Sequence, residues 1–385
     1  MDVFLTSPWI PAEWIRAHGL TPRGIWSAEN FLPGAQPLSA GVCAFAEAVV
    51  RFAEAQSDSA VIFSTACDQM RRGFDTAMLH GQPHAFLFNL PATWQTTVAK
   101  SLPENPGQEH GAGKLREPAG EDACATRRSA GILPPVKYFA TASKEIFRAE
   151  LERLGQFLLS LGGRTPSPER LWQEMEQSSA ARKCLLESAP GSSPRGFAEA
   201  VARFHWDGTL SPPPPAAPAN QIPLALVGGP FLASHWKLLD EIEVAGGRVI
   251  LNASKTGERS LSPLFELESH GDEGVAATGN PFDALVHGYC DHIVDVFQRP
   301  NTRLYSWLKP RLASRLVRGI VLWHFTGCDL WRAEAQTLRE TFSLPVLLLE
   351  AGGEPGNAPR ELTRLQAFVE TLKRARPRAQ QRLHT

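Results

Sequence analysis

The sequence has no apolar run near the roughly 18 residues that cross a bilayer as a helix, which excludes a helical membrane span. Charge of one sign is missing too. The formal net charge is −1, with Lys/Arg and Asp/Glu interspersed, so the electrostatic footprint of a nucleic-acid binder is absent. The six cysteines are scattered and form no CxxC pair, which argues against a disulfide framework. Neither GxxxxGK[ST] nor GxGxxG occurs. The nearest segment, LALVGGPF at 224–231, uses its glycines for a strand-to-helix turn, so nucleotide binding is not expected. There is no GxSxG elbow, and the 11 histidines form no HExxH. His84, His205 and His235 read as core or edge residues, and so does His324, although it lies close enough to Cys328 on a strand to line a pocket. The first residues, MDVFLTSPWIPAEWIRAHG, lack the basic start and long apolar core of a secretory signal, which points to the cytoplasm.

What is present suits a sizeable folded core. The chain has 385 residues, 43% of them hydrophobic and 21% charged, enough for two or three domains. Short apolar runs at Thr21–Ser27, Ala60–Ala66 and Ala85–Leu90 predict strands, with an amphipathic helix over Gly41–Gln56. Residues 101–131 are rich in Gly, Pro and charge and read as a surface loop or disordered insertion. Helices are predicted over Ser143–Leu161, where Phe147, Leu151, Leu154, Leu158 and Leu161 make one stripe, then from Ser167-Pro168 to about Glu187, and over Arg195–Phe204. SPPPPAAP at 211–218 is a stiff linker. Beyond it, strands at Leu224–Gly228, Arg248–Ala253, Gly319–Phe325 and Val346–Glu350 alternate with helices at Trp236–Ala245, Phe282–Phe297 and Arg360–Ala375. The expected fold is α/β, with two Rossmann-like parallel-sheet domains at 1–140 and 216–385 and a helical segment with its linker at 141–215.

Two cysteines share one local setting. Cys67 (AVIFSTACDQMRR) and Cys328 (RGIVLWHFTGCDLWR) each follow an apolar strand and precede Asp and a helix start. A thiol between a strand's carboxyl end and a helix N-terminus meets free N–H groups and the positive end of the dipole, which favour the thiolate. That edge of a parallel sheet is also where α/β proteins build sites. Cys184 and Cys290 read as small buried hydrophobes, and Cys124 lies in a polar loop. A thiolate nucleophile would need a base such as His. A metal site would need several thiolates to converge, and Cys43 could add a third to Cys67 and Cys328. Three thiolates suit an iron–sulfur cluster with one iron left open.

Five segments then bear a family likeness, in family order. SPWIPAEWIRAHGLTP at 7–22 resembles a P-x-E-[LI]-I-x-A-x-G-x-x-P entry motif, with Trp14 departing from it. FSTACDQMRRGFD at 63–75, FLFNLPATWQT at 86–96, WHFTGCDLWRAE at 323–334 and LPVLLLEAGGEPGNAPRELTRLQAFVE at 344–370 are similar to its later motifs. The chain resembles the subunits of 2-hydroxyacyl-CoA dehydratases and benzoyl-CoA reductases, the 2-hydroxyglutaryl-CoA dehydratase D-component type. The resemblance implies a [4Fe–4S] cluster held by Cys43, Cys67 and Cys328 in a cleft between two α/β domains. It gives Glu13 the motif's glutamate as a candidate catalytic residue, and Glu350 and Arg364 polar positions of the closing segment. It further implies a heterodimer with a homologous second subunit, an ATP-dependent iron–sulfur activator protein, and one-electron ketyl-radical chemistry on an acyl-CoA thioester, as a lyase or as a reductase. The alternative it leaves is a non-catalytic iron–sulfur electron-transfer or partner subunit of such a complex.

Overall fold

A computed structural model describes residues 1–27, 43–92, 140–215, 220–266, 274–276, 279–351 and 358–375. The Gly- and Pro-rich stretch at 101–131, with Cys124, lies outside them. Two four-stranded sheets, parallel throughout, organise the described chain. The first contains β1 (Asp2–Leu5), β2 (Thr21–Gly24), β3 (Ala60–Ser64) and β4 (Ala85–Phe88). Its helices are α1 (Ala12–Ala17), α2 (Ala44–Glu54) and α3 (Asp68–Leu79). Three helices follow: α4 (Ala140–Ser160), α5 (Pro168–Ser188) and α6 (Pro194–Asp207). The second half runs β5 (Ile222–Gly228), α7 (Lys237–Val244), β6 (Gly247–Ser254), the small parallel pair β7 (Leu264–Glu266) and β8 (Gly274–Ala276), α8 (Pro281–His292), α9 (Thr302–Ser314), β9 (Gly319–Phe325), α10 (Asp329–Phe342), β10 (Val346–Ala351) and α11 (Ala358–Arg374).

The two sheets repeat one topology. The first is ordered β2-β1-β3-β4 and the second β6-β5-β9-β10, so each half places its own second, first, third and fourth strands side by side. The chain therefore reverses direction between β1 and β3 in one half and between β5 and β9 in the other, and such switch points open crevices at the carboxyl edge. β3 and β9 are buried along their whole length, as parallel strands covered by helices on both faces must be.

The expected α/β class with two parallel sheets is the observed one, and most elements fall where the apolar patterns put them. The α4 stripe of Phe147, Leu151, Leu154 and Leu158 is buried, with Phe147 set edge-on to Phe88 of β4 at 5.6 Å between centroids. The α5 start is capped as its sequence foretells: the Ser167 hydroxyl accepts from the Arg170 N–H at 3.2 Å, and Pro168 opens the helix. The strand expected over Thr21–Ser27 ends at Gly24, where Ile25–Ser27 form a 3-10 turn, and five further features differ. β1 and α1 are too short to make a pattern. α9 carries Pro310 inside it, which masks its helical reading. α8 stops at His292, and Ile293 turns to extended backbone. The proline run does not stand clear of the fold, since the Pro214 carbonyl accepts from the Ser193 N–H at 3.1 Å and Pro215 bridges Ser192.

The halves are pinned together by buried polar contacts. The Arg299 N–H donates to the Ala92 carbonyl at 2.8 Å, and the Gln298 side chain donates to Pro91 at 3.2 Å. Glu13 of α1, fully buried, lies 2.7 Å from Arg182 of α5 and accepts from the Tyr289 hydroxyl of α8 at 2.7 Å. The Arg182 contact has the distance of an ion pair but misses hydrogen-bond alignment. Arg182 also donates to the Pro263 carbonyl at 2.8 Å and to Tyr289 at 2.9 Å.

Candidate metal centre

Three cysteines occupy three helix N-caps. Cys43 caps α2, Cys67 caps α3 and Cys328 caps α10. Cys67 and Cys328 follow β3 and β9, the third strand of each half, so they hold equivalent places in the repeated topology. Cys43 belongs to the crossover from β2 to β3. The three come together. The Cys43 N–H donates to the Gln69 side chain at 3.1 Å, two residues beyond Cys67. Gly327, next to Cys328, lies so close that a Cβ added there would sit 3.4 Å from the Cα of Cys43. Each thiolate raises the cost of ionising its neighbours: Cys67 and Cys328 act on Cys43, and Cys67 acts on Cys328.

Gly327 has a second requirement. Its φ of 82° is in the left-handed region, which carries a penalty for any residue with a Cβ. Gly327→Ala therefore costs about 1–3 kcal/mol, from backbone strain. Urea unfolding of the two proteins, compared at the same pH, measures it. Gly228 at the end of β5 is constrained in the same way: its φ is 146°, and an added Cβ would fall 1.9 Å from the Trp323 carbonyl oxygen.

The electrostatics of the thiols differ from the expectation set by the helix ends alone. Burial pushes Cys43 up to about 12 and Cys328 up to about 11, and it raises Cys67 as well. The N–H groups of Ala46 and Phe45, of Met70 and Gln69, and of Trp331 pull the three thiols the other way, as helix N-termini should. Burial outweighs them. Without an added positive charge the three stay protonated, which disfavours a free thiolate nucleophile. No base stands by either. Among the described residues no histidine ring hydrogen-bonds to a thiol. His205 is held by Ser260 at 2.8 Å, His324 by the Phe325 carbonyl at 3.0 Å, and His235 packs against Phe231, Trp323 and Phe325. Burial lowers His205 to about 3 and His235 to about 4, so both are neutral packing groups.

Three cysteine thiols are a donor type that an iron–sulfur cluster takes. Among the described residues no group of three His, Cys, Asp or Glu side chains is arranged around a single metal ion. The thiols nonetheless feel one another, and three thiolates spread about a common space are the donors a multi-iron cluster takes. Two charged side chains act on the same place: Lys255 favours the thiolate of Cys67 and Cys328, and Asp295 opposes it. Neither stood out in the sequence, where SKTGER at 254–259 matches no motif of known chemistry.

The remaining candidates lie elsewhere. Cys290 is buried inside α8, as its reading as a small hydrophobe expects. The Glu13 contacts are to Arg182 and Tyr289, with no thiol among them. Glu350 is exposed on β10, in register with His324. Arg364 pairs with Glu361 at 2.9 Å and donates to the Leu348 carbonyl at 2.8 Å, which ties α11 to β10.

Two α/β halves of like sheet topology, with Cys67 and Cys328 at equivalent strand ends, mark the chain as an α/β protein with thiols at its sheet edges. The family model described as 2-hydroxyglutaryl-CoA dehydratase, D-component, matches residues 9–190 and 205–372, a span that includes all three capping cysteines and Glu13. The chain belongs to that family, and this makes it a subunit of dehydratase type. No curated protein matches the chain. No helix among the described residues is long and apolar enough to cross a membrane.

Proposed function

We propose that the chain is the [4Fe–4S] subunit of a 2-hydroxyacyl-CoA dehydratase, or of a related acyl-CoA reductase, with Cys43, Cys67 and Cys328 as the cluster ligands. The observation that carries this reading is the meeting of three thiols, from stretches far apart in sequence, at three helix N-termini in one place. When bound, such a cluster leaves one iron open to an oxygen ligand and passes single electrons. The chain's own residues do the rest. The Ala46 N–H of α2 donates to the Cys43 sulfur, and the N-termini of α3 and α10 favour negative charge at Cys67 and Cys328. Burial keeps water from a reactive site. Gly327 lets the β9–α10 turn close against Cys43, and the Glu13–Arg182–Tyr289 contact holds α1, α5 and α8 in fixed relation. Glu13 acts in this reading as a clamp on the fold.

A homologous second subunit, an ATP-dependent activator and an acyl-CoA substrate in the cytoplasm complete the proposal. Anaerobic reconstitution tests it. The expected result is about four irons and as many sulfides per chain, with a visible spectrum that changes on adding acyl-CoA. A chain that takes up no iron sinks the proposal. A loaded chain whose spectrum ignores acyl-CoA is an electron-transfer subunit.

A further inference from the structure

α6 has two faces. Phe197, Ala200, Val201 and Phe204 pack with Leu185 and Leu261 into one buried cluster. Glu199, Ala202, Arg203 and Trp206, spaced three and four apart, make a second stripe along the same helix. That stripe walls a cavity of about 640 Å³. The other walls come from both halves of the chain: Ser27, in the turn that follows β2, and Ala233 and Trp236, in the segment between β5 and α7. The Arg23 guanidinium of β2 donates to the Trp206 carbonyl at 3.1 Å and lies 5.0 Å from the centre of its indole, which fixes that ring. The cavity thus sits where the carboxyl ends of a strand from each sheet meet α6. Such edges are where α/β folds take ligands, and the volume is that of a small-molecule site.

The polar groups of the lining are few and out of balance. Glu199 is engaged, its carboxylate paired with Arg195 at 3.0 Å. Arg203, one turn further along the stripe, is exposed and makes no ion pair or hydrogen bond among the described residues. The Ser27 hydroxyl is buried and has no hydrogen-bond partner. Trp206 and Trp236 are half-buried, each packed on the main core. Indole faces of this kind hold a planar aromatic ring, and a guanidinium without a counter-ion takes a carboxylate in its planar fork. One unpaired cation beside Glu199 suits a single negative charge and disfavours a polyphosphate. A neutral ring would leave Arg203 without a partner, and an aliphatic acid would leave the indole faces unused.

We propose that this cavity is a binding site for a planar aromatic monocarboxylate, with its ring against the indoles of Trp206 and Trp236 and its carboxylate on the Arg203 guanidinium. The Ser27 hydroxyl supplies a further polar contact. Binding is non-covalent, and no bond is made or broken. The site uses none of the capping thiols and does not depend on the cluster reading, so its test needs no metal.

The test is isothermal titration calorimetry on the metal-free full chain with three ligands of one ring system: naphthaleneacetate, naphthaleneacetamide and naphthalenemethylamine. The expected order is the acid first, the amide about tenfold weaker, and the amine weakest, because a charge-assisted Arg–carboxylate pair supplies about that factor. Arg203→Met weakens the acid by about the same factor and leaves the amide unchanged. Arg203 is exposed, so this variant keeps the fold. Trp236→Leu weakens acid and amide alike, with circular dichroism as the check on folding, and the Arg203→Met result stands without it. Octanoate and adenosine monophosphate bind less tightly than the acid. Absence of binding heat with the acid at millimolar ligand overturns the inference. So do equal affinities for acid and amide, tighter binding of the amine (which would put Glu199 in control) or of adenosine monophosphate, and an acid affinity that Arg203→Met does not change.

Discussion

Cys67→Ser empties the metal site and leaves the fold slightly more stable. Iron falls from about four per chain to a minor fraction, because two remaining thiolates hold a cluster far less well than three. The stability change has the opposite sign. Cysteine is not a favoured N-cap, whereas serine is, and a good cap contributes about 1 kcal/mol. The side chain of Cys67 caps nothing in α3 as it stands. Serine there can accept from the first turn. The same double result is expected at Cys328, whose side chain also makes no cap bond. At Cys43 the gain is smaller, since its sulfur already accepts from the Ala46 N–H at 3.4 Å. Iron analysis and urea unfolding of the metal-free proteins read the two effects separately. Cys290→Ser is the control, with iron content unchanged. A structural role for Cys67 would instead leave the iron in place and lower the stability.

Glu13→Ala destabilises the protein by about 3–5 kcal/mol, the cost of leaving a buried charge without its partner. Arg182 is almost wholly buried and would face an empty space in place of a carboxylate. Burial alone would raise the Glu13 carboxyl, but Arg182, helped by Arg16 and the Tyr289 hydroxyl, more than offsets it and holds it below its ordinary value of 4.5. The sign of the pH dependence follows. A carboxyl depressed in the folded state contributes stability that is fully present above the unfolded value, and that is lost as pH falls through the folded one. The gap between wild type and Glu13→Gln is therefore widest near neutral pH and narrows below about pH 4.5. Urea midpoints taken from pH 7 downward check this. A catalytic Glu13 would give a Gln variant of unchanged stability, full iron content and lost turnover.

The cysteine constellation was legible in the sequence because each of Cys67 and Cys328 sits between a continuous buried run and a helix-opening Asp. β9, GIVLWHF, is bounded by charge on one side and by a Thr-Gly turn on the other, and it folds over the residues its pattern marks. Cys43 was harder to place, since the residues on its N-terminal side form no strand pattern. The ionisation of the thiols was not legible at all. Local sequence tells of the helix dipole, but burial depends on how the other half closes over the site, and burial wins. Lys255 was hidden for a related reason. A lysine after a strand is normally a solvated edge residue, and only the packing of β5 beside β6 buries it without an ion pair. Glu13 and Arg182 are separated by a long stretch of chain, and nothing local to either shows that they meet.

The matched winding of the two halves has a consequence for coordination number. A scaffold that repeats itself offers thiols in pairs, one from each copy, as Cys67 and Cys328 do. Cys43 comes from a crossover whose counterpart in the other copy places its one cysteine, Cys290, inside α8. In the proposed reading, an odd count of thiols from a doubled frame would leave one iron of the cluster without a protein sulfur, and an outside molecule could be admitted there.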